Sequence, residues 1–310
     1  MFSLKFSKKI IIYFSLFALA IFGCFRSYYN LTDDFRQANI TYDMPNRPEW
    51  DILSLSPSEK SKIDQILNQT FTYIGKGAQS YAFGSEDGKY VLKFFKFKHL
   101  KPSLFVDLLP SVPPFINYKM KQTERKTRKL EGVFAGYRLA YESHREDSGL
   151  LFIHLNKTDN LGKTAIVLDK MGWEHKIPLD DVVFILQYKA ETMRKVMHDL
   201  LAKDNVTLAK HRINQIIDLY LSEYRKGIFD HDHGVMHNAG FVSDRPIHLD
   251  VGKLKKNDSM RTKETYAKDI ELVVRRMDKW LKENEPKHHP ELAAHIEEKM
   301  NQIIGEPFHL

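Results

Sequence analysis

The stretch FDHDHGVMHNAGFVSDRPIHLDVG, residues 229–252, decides how we interpret this chain. It begins with a dense loop of acids, histidines and an asparagine, and it ends with an aspartate and a glycine after the apolar run at 247–249. Apolar residues recur at helical spacing over 208–224, which predicts an amphipathic helix just before the loop. Residues 241–249 predict a hairpin around Asp244-Arg245-Pro246. A polar loop placed between such elements is a candidate site.

Two weaker motifs lie upstream. Gly75 and Gly77 stand between β-rich runs in IGKGAQSYAF, residues 74–83, and glycines let the backbone approach a phosphate closely. A strand follows them, which excludes a Rossmann fingerprint, and no Gly-Lys-Ser/Thr closes the loop, which excludes a Walker A motif. Lys93 lies inside an apolar strand, where an ammonium without a partner is costly. Each motif also has an ordinary explanation, a plain hairpin or a lysine that extends to water.

In this order, the motifs resemble those of the protein-kinase-like superfamily over roughly residues 70–282. The matching residues are Gly75 and Gly77 for the glycine-rich loop, Lys93 for the strand-three lysine, Asp232 and Asn238 for the catalytic loop, and Asp250-Val251-Gly252 for Asp-Phe-Gly. The resemblance implies an α+β fold with two lobes, a small β-rich N-lobe with one helix and a mostly helical C-lobe.

The resemblance implies a nucleotide site. ATP phosphates would lie under the glycine loop and against Lys93, which a helix carboxylate would hold. Glu131 is the chosen partner for Lys93, and Glu124 on the same basic helix is its rival. Asp169 and Met171, after the apolar strand at 165–169, would fall at the hinge that contacts adenine.

The resemblance also implies a reaction, the transfer of a phosphoryl group to a hydroxyl of an unidentified protein or small molecule. Asp232 would accept or orient the hydroxyl proton, and Asn238 and Asp250 would bind Mg²⁺. The sequence departs from the family pattern, since Asn238 follows Asp232 by six residues instead of five and no Ala-Pro-Glu follows Asp250. Such departures occur in small-molecule kinases and other atypical kinases. They are also compatible with a second interpretation, a kinase-like protein that binds its ligand but is catalytically inactive.

A third interpretation is a metal-dependent hydrolase. His231, His233 and His237, with Asp230 or Asp232 nearby, have the spacing of a possible zinc site. It would leave the glycine loop and Lys93 unexplained.

The N-terminus predicts a signal peptide or a short membrane anchor. Lys5, Lys8 and Lys9 precede an apolar run at 10–25. The positive-inside rule then puts the following domain on the non-cytoplasmic side, or exports it if the segment is cleaved. Cys24 could carry a lipid or simply be an apolar residue of the helix. Because it is the single cysteine of the sequence, an intrachain disulfide is excluded.

The remaining pattern divides the chain into four parts. Residues 1–25 are the signal or anchor, 26–61 a linker or extension, 62–172 the N-lobe and 173–310 the C-lobe. We predict helices at 58–68 with Ser58 as cap, 119–143, 179–202 and 290–304. Strands are predicted within 71–96 and at 150–155 and 165–169.

The charge suggests acidic partners but does not identify them. The chain has 47 Lys+Arg and 40 Asp+Glu, a net charge of +7. A basic run at 119–129 could be a solvated helix face, a site for an anionic substrate, or a contact with the membrane surface. Aromatic residues are 12% of the chain and form no stacking platform, so no nucleic-acid partner is expected.

Overall fold

The computed structural model describes residues 8–41, 43–52, 55–100 and 104–310. It confirms a mixed α+β fold, with one large sheet in the first part of the chain and mostly helices in the second. Lys5, part of the predicted basic start, lies outside the described residues.

Seven strands form the sheet of the N-lobe. They are β1 (Thr70–Lys76), β2 (Ser80–Ser85), β3 (Tyr90–Phe95), β4 (Leu150–His154), β5 (Thr164–Leu168), β6 (Glu174–Pro178) and β7 (Phe184–Tyr188). Their order is β4-β7-β3-β2-β1-β5-β6, and all neighbours are antiparallel except β1 and β5. Gly88, at φ +71°, makes the predicted turn between β2 and β3, since this conformation suits a residue without a Cβ.

The segment before the sheet packs into the lobe. It contains α1 (Lys8–Thr32), α2 (Gln37–Ile40), a 3₁₀ turn (Pro48–Trp50) and α3 (Pro57–Leu67). Ser56, not the predicted Ser58, caps α3 and forms a capping box with Glu59. Phe35, Ile40 and Ile66 are buried in the same core as the sheet. The predicted extension at 26–61 is therefore largely part of the folded lobe.

Four helices connect β3 to β4. They are α4 (Phe97–Leu100), α5 (Leu104–Leu108), α6 (Phe115–Ser143) and α7 (Arg145–Ser148). The long helix α6 includes the predicted span 119–143 and buries Leu130, Phe134 and Tyr137 against the sheet. It occupies the place of the single N-lobe helix that the sequence predicts.

The predicted helix at 179–202 is wrong in its first half. The segment instead forms a 3₁₀ turn (Leu179–Asp181), then β7, and only afterwards a helix. The run VVFILQY is almost continuously apolar, and such a run does not distinguish a buried strand from a buried helix by periodicity. Because β7 lies between β3 and β4, the seven-stranded sheet extends to Tyr188, and the predicted boundary at 172/173 falls within the segment that forms it.

The C-lobe is mostly helical. Its elements are β8 (Glu191–Thr192), α8 (Met193–Leu201), α9 (Val206–Arg225), β9 (Ile228–Asp230), α10 (Val235–Asn238), β10 (Ala239–Val242), β11 (Arg245–His248), β12 (Leu254–Lys256), α11 (Lys263–Asn284) and α12 (His289–Ile304). The predicted hairpin at 241–249 is the pair β10 and β11. Helices α9, α11 and α12 supply most of the core beneath it.

Candidate active site

Lys93 extends from β3 to the segment that follows β11. Its Nζ donates to the carbonyl oxygen of Leu249 at 2.9 Å, and Nε2 of Gln187 on β7 donates to the same oxygen at 3.3 Å. Burial lowers the pKa of Lys93, and the charge of Asp250 opposes this shift. Two central strands of the sheet are thus joined to the residue before Asp250.

Asp250 is held on one side and exposed on the other. Its Oδ1 accepts from the Tyr137 hydroxyl at 3.4 Å and from the Gly252 amide at 3.3 Å. Burial raises the pKa of Tyr137 well above its ordinary value, and the negative charge of Asp250 raises it further. The residue itself is solvent-exposed, so its carboxylate is accessible to a ligand.

The polar loop brings Asn238 beside Asp250. The Asn238 carbonyl accepts from the Leu249 amide at 2.5 Å and from the Asp250 amide at 3.4 Å. Its side-chain amide donates toward Asp232 Oδ2 at 3.4 Å. The short hairpin β10–β11 brings the two residues together, because the end of β11 at His248 pairs with the start of β10 at Ala239.

The two aspartates of the loop have different surroundings. Asp230 is fully buried; it accepts from the Asp232 amide at 2.8 Å and lies 3.4 Å from Nε2 of His248. The Asp232 side chain is 39% exposed, and its Oδ2 lies 2.9 Å from Nζ of Lys253. Burial alone would raise the pKa of Asp232, but Lys253 outweighs it and the pKa lies below its usual range. Asp232 is therefore the accessible carboxylate, and it stays ionised at neutral pH.

The glycine loop leaves room above the site. An added Cβ at Gly75 would meet no atom within 4 Å, and one at Gly77 would only reach Ser80 Oγ at 4.0 Å. The Gly77 carbonyl accepts from Nζ of Lys96 at 2.6 Å, which fixes the backbone of the loop. A phosphate can approach such a backbone closely.

Gln79 supplies an unusual oxygen next to Asp250. Its Oε1 is buried and has no hydrogen-bond partner among the described residues. It lies 3.4 Å from the position that a Cβ on Gly252 would occupy. A buried acceptor without a donor is costly, and a bound cation or donor would satisfy it. The oxygen atoms of Gln79, Asp250 and Asn238 are of the hard type that Mg²⁺ prefers in proteins.

The two predicted helix glutamates do not contact Lys93. Glu131 forms an ion pair with Arg47 at 2.6 Å, and Glu124 lies 3.6 Å from Arg128. The reason is the position at which α6 contacts the site: an added Cβ at Gly136 would lie only 2.6 Å from the carbonyl of Val251. Glu131 is more than one turn away from this contact, so the prediction that it holds Lys93 does not match the structure.

Asp169 and Met171 lie in the turn between β5 and β6, at the far edge of the sheet. Asp169 Oδ1 accepts from the amides of Met171 at 2.8 Å and Trp173 at 3.0 Å, and Oδ2 lies 2.8 Å from His175. These contacts stabilise the turn. The chain leaves the seven-stranded sheet after β7, at Tyr188, so Asp169 and Met171 do not lie at the connection to the helical part, where the hinge was predicted.

The loop histidines do not assemble a metal site. His233 pairs with Asp269 at 2.7 Å, and His237 contacts Arg194. Within residues 8–41, 43–52, 55–100 and 104–310, no group of three or more His, Cys, Asp or Glu side chains is arranged to hold a metal ion. A Mg²⁺ bound by one carboxylate, amide oxygens and phosphates does not need such a group.

The sequence analysis does not predict three residues of the candidate site: Lys253, Tyr137 and Gln79. Lys253 directly follows the Asp250-Val251-Gly252 motif, and Gln79 lies within the glycine loop, so adjacency was the available signal. Tyr137 contacts Asp250 over 113 residues of sequence, which no local pattern indicates.

Comparisons with known proteins give weak structural similarity. No protein-family profile matches the chain, and no curated protein matches its sequence. WbdD, solved as a co-crystal with a kinase inhibitor, shows a TM-score of 0.31 at 12% identity, over 64% of this chain and 37% of that one. The Rv3197–erythromycin complex from Mycobacterium tuberculosis shows a TM-score of 0.34 at 15% sequence identity, over 71% of this chain and 60% of that one. This chain therefore spans less than two thirds of the length of these two. The aminoglycoside phosphotransferase APH(3'')-Id from Streptomyces rimosus shows a TM-score of 0.31 at 12% sequence identity, over 81% of this chain and 91% of that one.

Proposed function

We propose that this chain is an ATP- and Mg²⁺-dependent phosphotransferase that acts on a hydroxyl of a protein or a small molecule. The observation that carries the proposal is the meeting of Lys93, Asp232, Asn238 and Asp250 beneath an open glycine loop. A cation, hard oxygen ligands and an accessible carboxylate close to one another are the components that phosphoryl transfer requires.

Each residue has a proposed role. Lys93 would bind phosphate oxygens, and Asp250 and Asn238 would hold Mg²⁺, which neutralises charge on the phosphates. Asp232 would orient the acceptor hydroxyl, because a carboxylate with a lowered pKa accepts a hydrogen bond well but is a weak base. Lys253, 2.9 Å from Asp232, would add positive charge where negative charge develops.

One observation favours a second candidate, a kinase-like protein that binds nucleotide without turnover. Active protein kinases pair the strand lysine with a helix glutamate. Among the described residues, Lys93 bonds to the Leu249 carbonyl and forms no ion pair with Glu131. The two candidates differ in turnover but share the nucleotide site.

The first experiment measures thermal unfolding of the full chain in detergent with ATP, with and without Mg²⁺. Ligand at about 100 times its Kd stabilises the folded state by about 2.7 kcal/mol. We expect a Mg²⁺-dependent rise in Tm for the wild type and for the exposed control Lys89→Ala, and no rise for Lys93→Ala or Asp250→Ala. No rise in the wild type would contradict both candidates.

The second experiment separates them by turnover. We expect Asp232→Asn to keep the Mg²⁺-dependent rise in Tm and to lose transfer of labelled γ-phosphate by about 100-fold, the size of loss that follows when a reacting group is misplaced by about 1 Å. Binding in the wild type with no transfer to any protein or small-molecule acceptor would favour the inactive candidate.

We also propose attachment to a membrane through α1. The segment Ile12–Thr32 is long and apolar enough to cross a membrane, a property that signal sequences share. The lysines at its start would keep that end in the cytoplasm and place the catalytic domain on the other side. Protease protection of a C-terminal tag in intact and opened membrane vesicles would test this topology.

A further inference from the structure

The first half of α6 forms a projection in which no side chain is fully buried. Its first 15 residues, 115–129, include no buried side chain, and Leu130 is the first buried residue of the helix. At 1.5 Å per residue, this projection is about 22 Å long. In proteins, most of the stability of a helix comes from the packing of one of its faces, and this half of α6 has little such packing.

The projection carries a stripe of cations. Lys121, Arg125, Arg128 and Lys129 recur at helical spacing and are all exposed, and the exposed ring of Tyr118 continues the stripe toward the start of the helix. In the part of the chain that the structure describes, the only ion pair of this stripe joins Arg128 to Glu124 at 3.6 Å. Burial lowers the pKa of the adjacent Lys126, and repulsion from Lys129 and Arg125 lowers it further. The stripe thus has an excess of positive charge that an anionic partner would relieve.

Exposed apolar side chains accompany the stripe. Leu108 is 83% exposed, Phe105 70% and Met120 63%, and Val112 and Phe115 lie between them in the chain. Large apolar side chains exposed next to lysines and arginines are the composition of helices that lie in a membrane interface. A purely solvated helix face would not require them.

A chain of contacts links the end of α1 to α6. Asp34, two residues after α1, lies 2.6 Å from Nζ of Lys98 on α4, and α4 packs against both α2 and α6. α5, with its exposed Phe105 and Leu108, also packs against α6. The end of the membrane-length helix and α6, the helix that carries the basic stripe, are therefore connected through consecutive contacts.

We propose that residues 104–129 form a second membrane contact, which docks on the headgroups of anionic lipids. The cations would bind the lipid phosphates and carboxylates, and Phe105, Leu108 and Met120 would enter the interface. An anionic membrane fits better than a soluble polyanion, because a polyanion leaves the apolar side chains exposed. This inference concerns a surface away from the nucleotide cleft and does not depend on the proposed reaction.

The test uses the full chain reconstituted in lipid vesicles. Because Cys24 is the single cysteine, Cys24→Ser with Met120→Cys gives one site for a polarity-sensitive fluorophore. We expect a blue shift in vesicles with about one third phosphatidylserine and none in pure phosphatidylcholine, with the shift lost at high salt. A fluorophore at Leu272→Cys, exposed on α11 of the other lobe, is the position control and should not respond.

Charge reversal makes the test specific. Each cation near an anionic surface contributes about 1 kcal/mol to docking. The triple variant Lys121→Glu, Arg125→Glu and Lys129→Glu should therefore lower the ratio of docked to free protein by on the order of 10² through the loss of three positive charges, and further through the three negative charges that it adds. The matched control Lys268→Glu, Lys279→Glu and Lys282→Glu changes the net charge equally on α11 and should keep the shift. An equal shift in both vesicle types, an unchanged shift after reversal at Lys121, Arg125 and Lys129, or a response to soluble polyanion without a response to vesicles would each overturn the proposal.

Discussion

Gly75 and Gly136 are two glycines at the candidate site whose surroundings differ at the scale of a single methyl group. An added Cβ meets no atom within 4 Å at Gly75, but at Gly136 it would lie 2.6 Å from the Val251 carbonyl and 2.9 Å from the Gly252 carbonyl carbon. The first glycine therefore leaves space for a ligand, and the second permits close packing of α6 on the Asp250 segment.

This contrast gives a paired prediction. We expect Gly75→Ala to unfold at the wild-type urea concentration and to weaken Mg²⁺-ATP binding about tenfold, since the methyl group narrows the space for phosphate. Gly136→Ala gains up to about 1 kcal/mol of helix propensity, but overpacking costs about 1–3 kcal/mol, so we expect net destabilisation and lost binding. Urea unfolding and calorimetric binding measure both effects. A destabilised Gly75→Ala, or a Gly136→Ala as stable as the wild type, would show that this description of the packing is wrong.

At the residue scale, the sequence located most of the charged groups of the site but not their partners. Lys93, Asp232, Asn238 and Asp250 lie together, as their order along the chain implied. Glu131 could not be assigned from sequence, because the rotation of α6 about its axis is decided by the contact of Gly136 with residues 251 and 252. Such a contact depends on tertiary packing and leaves no mark within the helix.

At the scale of elements, a buried polar cluster holds three of them together. Glu223 on α9 is fully buried and lies 3.0 Å from His144, which follows α6, and 2.7 Å from His248 at the end of β11. Burial alone would raise the pKa of Glu223, but the two histidines lower it to about 2. Burial alone would lower the pKa of His248, yet Glu223 and Asp230 raise it well above its ordinary value.

The cluster makes stability depend on pH in a defined direction. The Glu223 contribution is complete above the ordinary pKa of 4.5 and is lost as the pH falls toward 2. The His248 contribution is complete below the ordinary pKa of 6.5 and is lost as the pH rises through its higher folded value. We expect maximal stability between these ordinary values, measured as the free energy of unfolding in urea across pH.

Glu223→Gln tests this cluster directly. Breaking a buried pair destabilises by about 3–5 kcal/mol, because it leaves an uncompensated charge. We therefore expect a loss of this size near pH 5.5 and a weaker decline above pH 6.5, whereas the exposed control Glu86→Gln should match the wild type. A variant within 1 kcal/mol of the wild type, with the same pH dependence, would refute the role of the cluster.

Element prediction failed where periodicity carries no information. Strand β7 pairs with β3 and β4 at its two edges, and four of its five residues are buried, so both of its faces are covered and its sequence does not alternate between apolar and polar residues. The amphipathic helix α9 was predicted well because one face is solvated. Because the sequence does not predict β7, the strand at 165–169 is the last one predicted for the sheet. The hinge that contacts adenine is therefore predicted at Asp169 and Met171, which lie in the β5–β6 turn.

For the whole molecule, the junction between α1 and the N-lobe is the feature with the widest consequence. Asp33 pairs with Lys76 of the glycine loop at 2.8 Å and accepts from the Tyr73 hydroxyl at 2.9 Å. The Tyr81 hydroxyl donates to the Asp34 carbonyl at 2.8 Å, and Phe35 packs edge-on against Tyr81 and Phe83. The membrane-length helix therefore leads into the core of the lobe without a flexible linker, and its end touches the strand that carries Gly75.

This junction predicts where the chain can be shortened. A fragment of residues 33–310 keeps Phe35 and Ile40, which are 2% and 0% exposed, whereas 45–310 loses both. Loss of one buried phenylalanine alone costs about 3–5 kcal/mol, so we expect the urea midpoint of 45–310 to lie about 1 M or more below that of 33–310. Within 33–310, Phe35→Ala should reproduce most of the loss, and Asp43→Ala, whose side chain is fully exposed, should have no effect. Equal midpoints and slopes for the two fragments would mean that residues 33–44 are dispensable for the fold, and α1 would then be joined to an independent domain by an ordinary linker.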